Sequence, residues 1–484
     1  MIFNSLTYLT FLFFVVTAYW ILPRRQRLIL IFLSSLTFYG FWKFSFIPVM
    51  MASVIIDYFV ALKIDKTTLK KNKKKLLYIS VIANLSLLFY FKYLIFFSNN
   101  AIGLVNLFGF EVDPILLKII LPLGISFYTF QTISYTVDVY RGFIKPEKDF
   151  ILYSSYVTFF PQLVAGPVLR ASEVIFQLDK RPAFNISFIP DGIKRIIYGL
   201  FLKVVLADNI GAMVDSGFLL PSDLLSAIDV LTLSFLFGFQ IYFDFSAYSH
   251  IAIGSAKLMG ISFPENFNFP YNAESPKDFW KRWHISLSSW IRDYLYLPLT
   301  GSKVINKSIG GIEVAISPSG KTRDRALFTS WAIMGLWHGA NWTFVVWGLY
   351  HAIFIYLHRL LSSKTYLQYK AISIIGSFAT LPIMMLGWIP FRAESVQVAI
   401  NMWNKVLQPS EYFYLGLREN NYLVAAIIML GIYAANLFHV NKNILKKSLT
   451  KKILTVIEII FFTILIVLIF IFIRPLTQFI YFQF

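Results

Sequence analysis

Long apolar runs, closed by short basic clusters, set the pattern of this chain. Residues 6–22 carry no charge and end at Pro23, Arg24, Arg25 and Arg27. Residues 28–42 and 46–62 are apolar again, and the dense run Lys63, Lys66, Lys70, Lys71 and Lys73 to Lys75 follows. Residues 76–97 make the next apolar stretch. The runs are continuous rather than alternating, so they predict helices and exclude a β-barrel. Several can cross a hydrocarbon layer of about 30 Å. Later runs at 193–206, 224–243, 371–390, 423–440 and 453–473 predict further helices. Residues 326–340 and 342–357 predict a helical hairpin that turns at Gly339, Ala340 and Asn341.

Two stretches break the pattern. Residues 121–141 (LPLGISFYTFQTISYTVDVYR) are apolar but dotted with Ser126, Thr129, Gln131, Thr132 and Asp138. Such groups need partners in lipid, which predicts a segment buried among other helices, broken, and lining a cavity. Residues 157–170 (VTFFPQLVAGPVLR) carry Pro161, Gly166 and Pro167, which predicts a re-entrant or kinked element. Residues 99–114 read as a loop on one side, and 300–321 as a polar loop on the other.

Composition agrees. Hydrophobic residues make up 57% of the 484 and charged residues 14%, as in a polytopic membrane protein. The expectation is an all-α membrane bundle of about 11 to 13 spanning or re-entrant helices, at roughly 20 residues per span. We expect one domain over 1–484: spans at 1–114, a core at 115–362 and spans at 363–484. The net charge of +19 sits in short loops, with later clusters at Lys303, Lys307, Lys321, Arg323 and Arg325, at Arg359, Lys364 and Lys370, and at Lys442, Lys446, Lys447, Lys451 and Lys452. Placing these clusters in the cytoplasm puts both termini outside. No basic surface is interleaved with exposed aromatics on a soluble domain, so nucleic acid is not expected. The chain has no cysteine, which excludes disulfides, thiolate metal ligands and a cysteine acyl-enzyme. The first run lacks a preceding basic residue and a cleavage site, so it reads as a retained span.

The candidate chemistry is sparse. His338 lies thirteen residues past Arg325, roughly 20 Å deep if the intervening chain is helical. An ionisable group inside the membrane is a functional candidate by default, although a neutral histidine bonded between helices would serve packing alone. Residues 276–299 (PKDFWKRWHISLSSWIRDYLYLPL) put Trp280, Trp283, Leu287 and Trp290 on one face of a continuous helix, with Lys277, Lys281, Arg282 and Arg292 at other angles. This predicts an interfacial amphipathic helix that anchors, or that holds the phosphates of an anionic ligand. His284 lies within it. Asp244, in a polar patch with Gln240, Ser246, Ser249 and His250, either orients a substrate or a histidine, or pairs with a buried cation such as Lys257. The six histidines are scattered, with no metal-ligand spacing, Walker A or nucleophile-elbow motif. What remains suits a general base taking a proton from an attacking hydroxyl, as in acyl transfer from a thioester to an alcohol.

At these residues the chain resembles the membrane-bound O-acyltransferases. FWKRWHISLSSWIRDYLYLPL (279–299) and GLWHGANWTFVVWGLYHA (335–352) are similar to that family's two signature stretches. The resemblance extends to 121–141, to FFPQLVAGPVLR (159–170), YFDFSAYSHIAIG (242–254), WIPFRAES (388–395) and the terminal FIYFQF. The chain resembles the bacterial branch that O-acetylates alginate, peptidoglycan and similar polysaccharides. This implies His338 as the essential histidine, His284 as a supporting one, and a channel through the membrane. It also implies a cytoplasmic acetyl-CoA donor and an outer partner, often of SGNH type, that delivers acetyl to the polymer; no permanently bound cofactor is expected, and the scattered histidines predict no metal site. Lys281, Arg282 and Arg292 would then draw the donor to the inner mouth. Asn341 or Asp244 would orient the base or the acyl carbonyl, with Trp337 in the same substrate-contacting group. The chain departs from the family at Ala247 and His250, and at Thr300, Gly301 and Ser302 after YLPL. D-alanyl transfer to teichoic acid and a non-catalytic transporter remain as alternatives.

Overall fold

The computed structural model describes residues 1–484 apart from 165, 303, 309–310, 315–319, 363–365, 449, 476 and 481–484, and apart from the side chains of 304–308, 311–314, 366–375, 377, 433, 435–448 and 451. The side chains of Lys303, Lys307, Lys364, Lys370, Lys442, Lys446, Lys447 and Lys451, and the last four residues of FIYFQF, lie outside the described residues.

The chain is a bundle of helices. The first five are α1 (Leu6–Ile21), α2 (Arg24–Lys43), α3 (Ile47–Lys66), α4 (Lys70–Leu88) and α5 (Leu94–Asn106). They are followed by α6 (Ile125–Arg141), α7 (Phe150–Thr158), α8 (Ala171–Asp179), α9 (Phe188–Phe201), α10 (Asp208–Phe218) and α11 (Ala227–Leu258). Three short helices come next: α12 (Pro276–Arg282), α13 (Ile285–Ile291) and α14 (Leu297–Leu299). The last are α15 (Gly320–His338), α16 (Trp342–Ser362), α17 (Tyr366–Arg392), α18 (Val396–Leu407), α19 (Glu419–Ser448) and α20 (Lys451–Ile471). Among the described residues, six helical stretches are long and apolar enough to cross a membrane, and three shorter helices are apolar. This is a multi-pass membrane protein.

Local chemistry explains the boundaries. Ser5 caps α1 by accepting from the Tyr8 amide, and Pro23 separates α1 from α2. Asp149 caps α7, and Ser226 with Asp229 forms a reciprocal capping box on α11. Arg24 pairs with Asp179, and Arg25 with Asp149 at 2.7 Å, so the first basic cluster shares one end of the bundle with α7 and α8.

The polar helix of 121–141 is buried as expected. Nearly every residue of α6 from Ile125 to Val139 is inside, and Gly124 takes a left-handed conformation just before it. Asp57 of α3 anchors it: the carboxylate accepts from Ser80, from Asn84 at 2.6 Å and from Thr136 of α6 at 2.9 Å. The 157–170 segment is irregular after Thr158 and buried among the described residues, as its prolines and glycine require.

Three expectations are corrected. The loop expected from 99 begins later, because α5 runs to Asn106. Its Asn99 and Asn106 side chains bind the backbone of Ile115 and Val112, which accounts for their polarity inside a helix. The polar loop at 300–321 holds an antiparallel hairpin, β1 (Val304–Ser308) and β2 (Gly311–Val314). The continuous helix expected over 276–299 is broken at His284, whose φ is +42°. Its tryptophans face the protein core rather than an interface: Trp280, Trp283 and Trp290 are all buried.

Candidate functional site

His338 is the last residue of α15 and is buried. Close packing of α15 on α16 puts it there. A Cβ at Gly335 would run into the Phe344 carbonyl, and one at Gly348 into that of Trp331, so both glycines let the backbones meet. The His338 ring packs edge-on to Trp337 (4.9 Å between centroids), Trp347 (4.8 Å) and Phe391 (5.5 Å). Its Nδ1 lies 2.7 Å from the Met334 carbonyl. A carbonyl only accepts, so Nδ1 carries the proton and Nε2 the lone pair.

The two histidine motifs converge through aromatic rings. Trp290 of α13 stacks on Phe130 of α6 at 3.8 Å, and Phe130 stacks on Trp337 at 5.1 Å. The Trp290 indole N–H also donates to the Phe130 carbonyl, at 2.9 Å. His284 packs against Phe245 (4.6 Å) and Phe127 (6.5 Å), and Phe127 also touches Trp337 (5.7 Å). A left-handed backbone at a non-glycine residue is uncommon and concentrates at functional sites. Here it turns His284 inward, between α12 and α13.

A cavity of about 360 Å³ reaches His338 from the end of the bundle that holds Met1 and Trp42. Lys92, Ser126, Phe127, Trp337 and Gln478 share its wall. The volume falls in the roughly 300–1,000 Å³ range of small-molecule sites. On the opposite side, toward the start of α15, Trp280, Trp331, Trp347 and His351 pack ring to ring at 4.6 to 6.4 Å. Among the described residues, neither ring nitrogen of His351, nor the indole N–H of Trp280 or Trp347, has a hydrogen-bond partner.

The other candidates divide. Lys281 is exposed on α12. Arg282 is tied to Asp278, four residues earlier, at 2.8 Å. Arg292 lies 2.7 Å from the buried Asp293 and keeps half its side chain exposed. Asp293 also holds Arg170, the residue before α8, at 2.5 Å, so three charged groups from two segments meet just after α13. Asn341 accepts from the Thr343 amide at 3.0 Å, a cap on the start of α16.

The Asp244 carboxylate is committed to partners other than His338. One oxygen takes the Lys203 ammonium at 2.6 Å and the other the Ile480 amide at 2.8 Å. Lys203 therefore replaces the Lys257 partner expected, and Lys257 instead lies over the Phe188 ring. Among the described residues no group of three His, Asp or Glu is arranged to hold a metal.

Sequence reading overlooked Lys92 and His351. Lys92 is a lone charge within the apolar run that begins at 76, and that isolation was the available signal. His351 lies within the 335–352 stretch, and nothing in the sequence around it distinguishes it from a packing histidine.

Comparison with known proteins fits this geometry. The chain is 33% identical over 451 residues to the probable alginate O-acetylase AlgI of Pseudomonas aeruginosa, covering 91% of this chain and 82% of the relative. It is 37% identical over 417 residues to the peptidoglycan O-acetyltransferase of Helicobacter pylori, covering 81% and 75%. A teichoic acid D-alanyltransferase of Bacillus subtilis matches 48% of the chain at 32% identity. The model of the MBOAT, membrane-bound O-acyltransferase family matches residues 4–396, so this chain belongs to that family and is a membrane-bound acyltransferase.

Proposed function

We propose that the chain moves acetyl from cytoplasmic acetyl-CoA to a hydroxyl presented on the outer side, for O-acetylation of a cell-envelope polysaccharide. His338 is the general base. The observation that carries this reading is its fixed tautomer: with Nδ1 held by Met334, the basic Nε2 belongs to a ring that lines a cavity. Nε2 takes the proton as the hydroxyl oxygen bonds to the thioester carbon. The tetrahedral intermediate then breaks its C–S bond, and the imidazolium returns the proton to the departing thiolate.

The basic end of the bundle faces the cytoplasm in this reading, and both termini face outward across a bacterial cytoplasmic membrane. Lys281 and the exposed half of Arg292 attract the donor's phosphates, while Arg282 contributes less because Asp278 already neutralises it. The thioester approaches through the layer of Trp280, Trp331, Trp347 and His351, where the buried unpartnered nitrogens of Trp280, Trp347 and His351 suit an amide-bearing arm. The acceptor enters the cavity from the outer end, either as the polymer or as a hydroxyl of an SGNH-type partner. Acetyl is favoured over D-alanyl because the O-acetylating relatives match the greater part of the chain.

The test uses the full chain in proteoliposomes, supplied with labelled acetyl-CoA or a D-alanyl carrier protein. Wild type should consume acetyl-CoA alone. His338→Ala should insert normally and lose about 10²- to 10⁴-fold in transfer, the usual worth of a general base. Undiminished transfer by the inserted variant rejects His338 as base.

A further inference from the structure

The end of α15 is held by two consecutive side chains from another helix. Between α4 and α5, residues Phe89–Tyr93 form a π-helical turn. From it the Lys92 ammonium donates to the Trp337 carbonyl at 2.6 Å and to the His338 carbonyl at 3.0 Å. The Tyr93 hydroxyl donates to the Leu336 carbonyl at 3.1 Å. The last three carbonyls of α15 therefore all accept from one turn. A helix ending at His338 leaves these carbonyls without intrahelical partners. Within a membrane protein such groups need partners, and here the side chains of one turn supply them.

We propose that Lys92, assisted by Tyr93, is a positioning residue for the histidine chemistry. Four contacts then define the His338 geometry: its own carbonyl on Lys92, the two preceding carbonyls on Lys92 and Tyr93, and its Nδ1 on Met334. Backbone and ring are fixed together. Neighbouring residues in an α-helix project about 100° apart, so an unbroken helix would not aim both side chains at one target. Single π turns inside α-helices occur often at functional sites. A neutral donor could cap a carbonyl. An ammonium does more: it meets the negative end of the α15 dipole and places a cation in the same cavity wall as His338. The Lys92 ammonium also lies 5.9 Å from the centre of the Trp337 ring, which adds a cation–π contact to the same helix end. An isolated charge in a span is costly and calls for such compensation.

The inference rests on His338 being the base, and the experiment separates the two. Full-length wild type, Lys92→Met, Lys92→Arg, Tyr93→Phe and His338→Ala are compared in nanodiscs for thermal melting, kcat and donor KM. Lys92→Met should lose about 100-fold in kcat, the scale of a 1 Å misplacement, with donor KM within about threefold of wild type. Lys92→Arg keeps charge and donors and should recover at least about tenfold over Lys92→Met, a rescue that loss of packing alone would not give. A folded Lys92→Met with wild-type kcat, or a folded Lys92→Arg no better than Lys92→Met, overturns the proposal. Should Lys92→Met fail to fold, Tyr93→Phe decides: it removes one hydroxyl, and undiminished kcat overturns the proposal. Retained activity in His338→Ala instead removes the reading of the base itself.

Discussion

Replacing Lys203 should damage the protein more than replacing Asp244, although the two form one buried pair. Their side chains are 2% and 4% exposed and meet at 2.6 Å. Lys203 has a second acid, Asp208, at 2.9 Å, and also donates to the Gln478 carbonyl at 3.2 Å. Asp244 has only one other described partner, the Ile480 amide. Lys203→Met thus strands a buried carboxylate with a single donor. Removing one member of such a pair costs about 3–5 kcal/mol. Asp244→Asn leaves Lys203 paired with Asp208 and disturbs one hydrogen bond, a cost of about 1–3 kcal/mol. Lys203→Met/Asp244→Leu removes both charges and should be more stable than Lys203→Met alone, because apolar replacement of a buried pair is often neutral or better. The pair pins the segment 477–480, and Gln478 lines the His338 cavity, so weakening it should raise acceptor KM before it touches kcat. Melting curves of full-length protein in detergent, with transfer assayed below every melting point, check both parts. A hundredfold kcat loss in a normally melting Asp244→Asn would refute the reasoning and return Asp244 to the chemistry.

His284→Asn should fold, since Asn tolerates the left-handed backbone, yet lose about tenfold or more in kcat if the imidazole supports the reaction; wild-type kcat in that variant would leave His284 a purely structural turn. Lys281→Ala should raise the acetyl-CoA KM several-fold at low ionic strength, with kcat unchanged, and the effect should fade near 1 M salt, where the Debye length is about 3 Å. Arg282→Ala should do less, because Asp278 already screens Arg282; an Arg282 effect larger than that of Lys281 would contradict this ordering.

Most of the helical frame was legible because lipid leaves few choices. Apolar runs between basic clusters had to be spans, and the polar groups of 121–141 had to be buried, which α6 and its Asp57 network bear out. The hairpin at Gly339 to Asn341 was likewise visible from the change between apolar run and turn. Helical periodicity misled at 276–299. The tryptophans at 280, 283 and 290 do repeat with helical spacing, but the chain breaks at His284 and buries them in two directions. Spacing records where residues fall on an ideal helix and is blind to one left-handed residue that resets the phase.

The same blindness explains why sequence reading missed Lys92. Three π-helical turns interrupt the described helices, at Phe89–Tyr93, Leu202–Ala207 and Arg292–Tyr296. Each carries a charge that is central to an interaction: Lys92 on the α15 carbonyls, Lys203 on Asp244, and Asp293 on Arg170. An extra residue in a turn shifts every later side chain around the axis, so a charge that a 3.6-residue wheel assigns to lipid can face inward. Hydropathy registers these residues only as blemishes in an apolar run. Their cost supplies a better signal: a lone lysine or aspartate that persists inside a span needs a partner in another helix. Looking for that partner at helix ends, where carbonyls go unmet, would have pointed from Lys92 toward the end of α15 and the histidine that closes it.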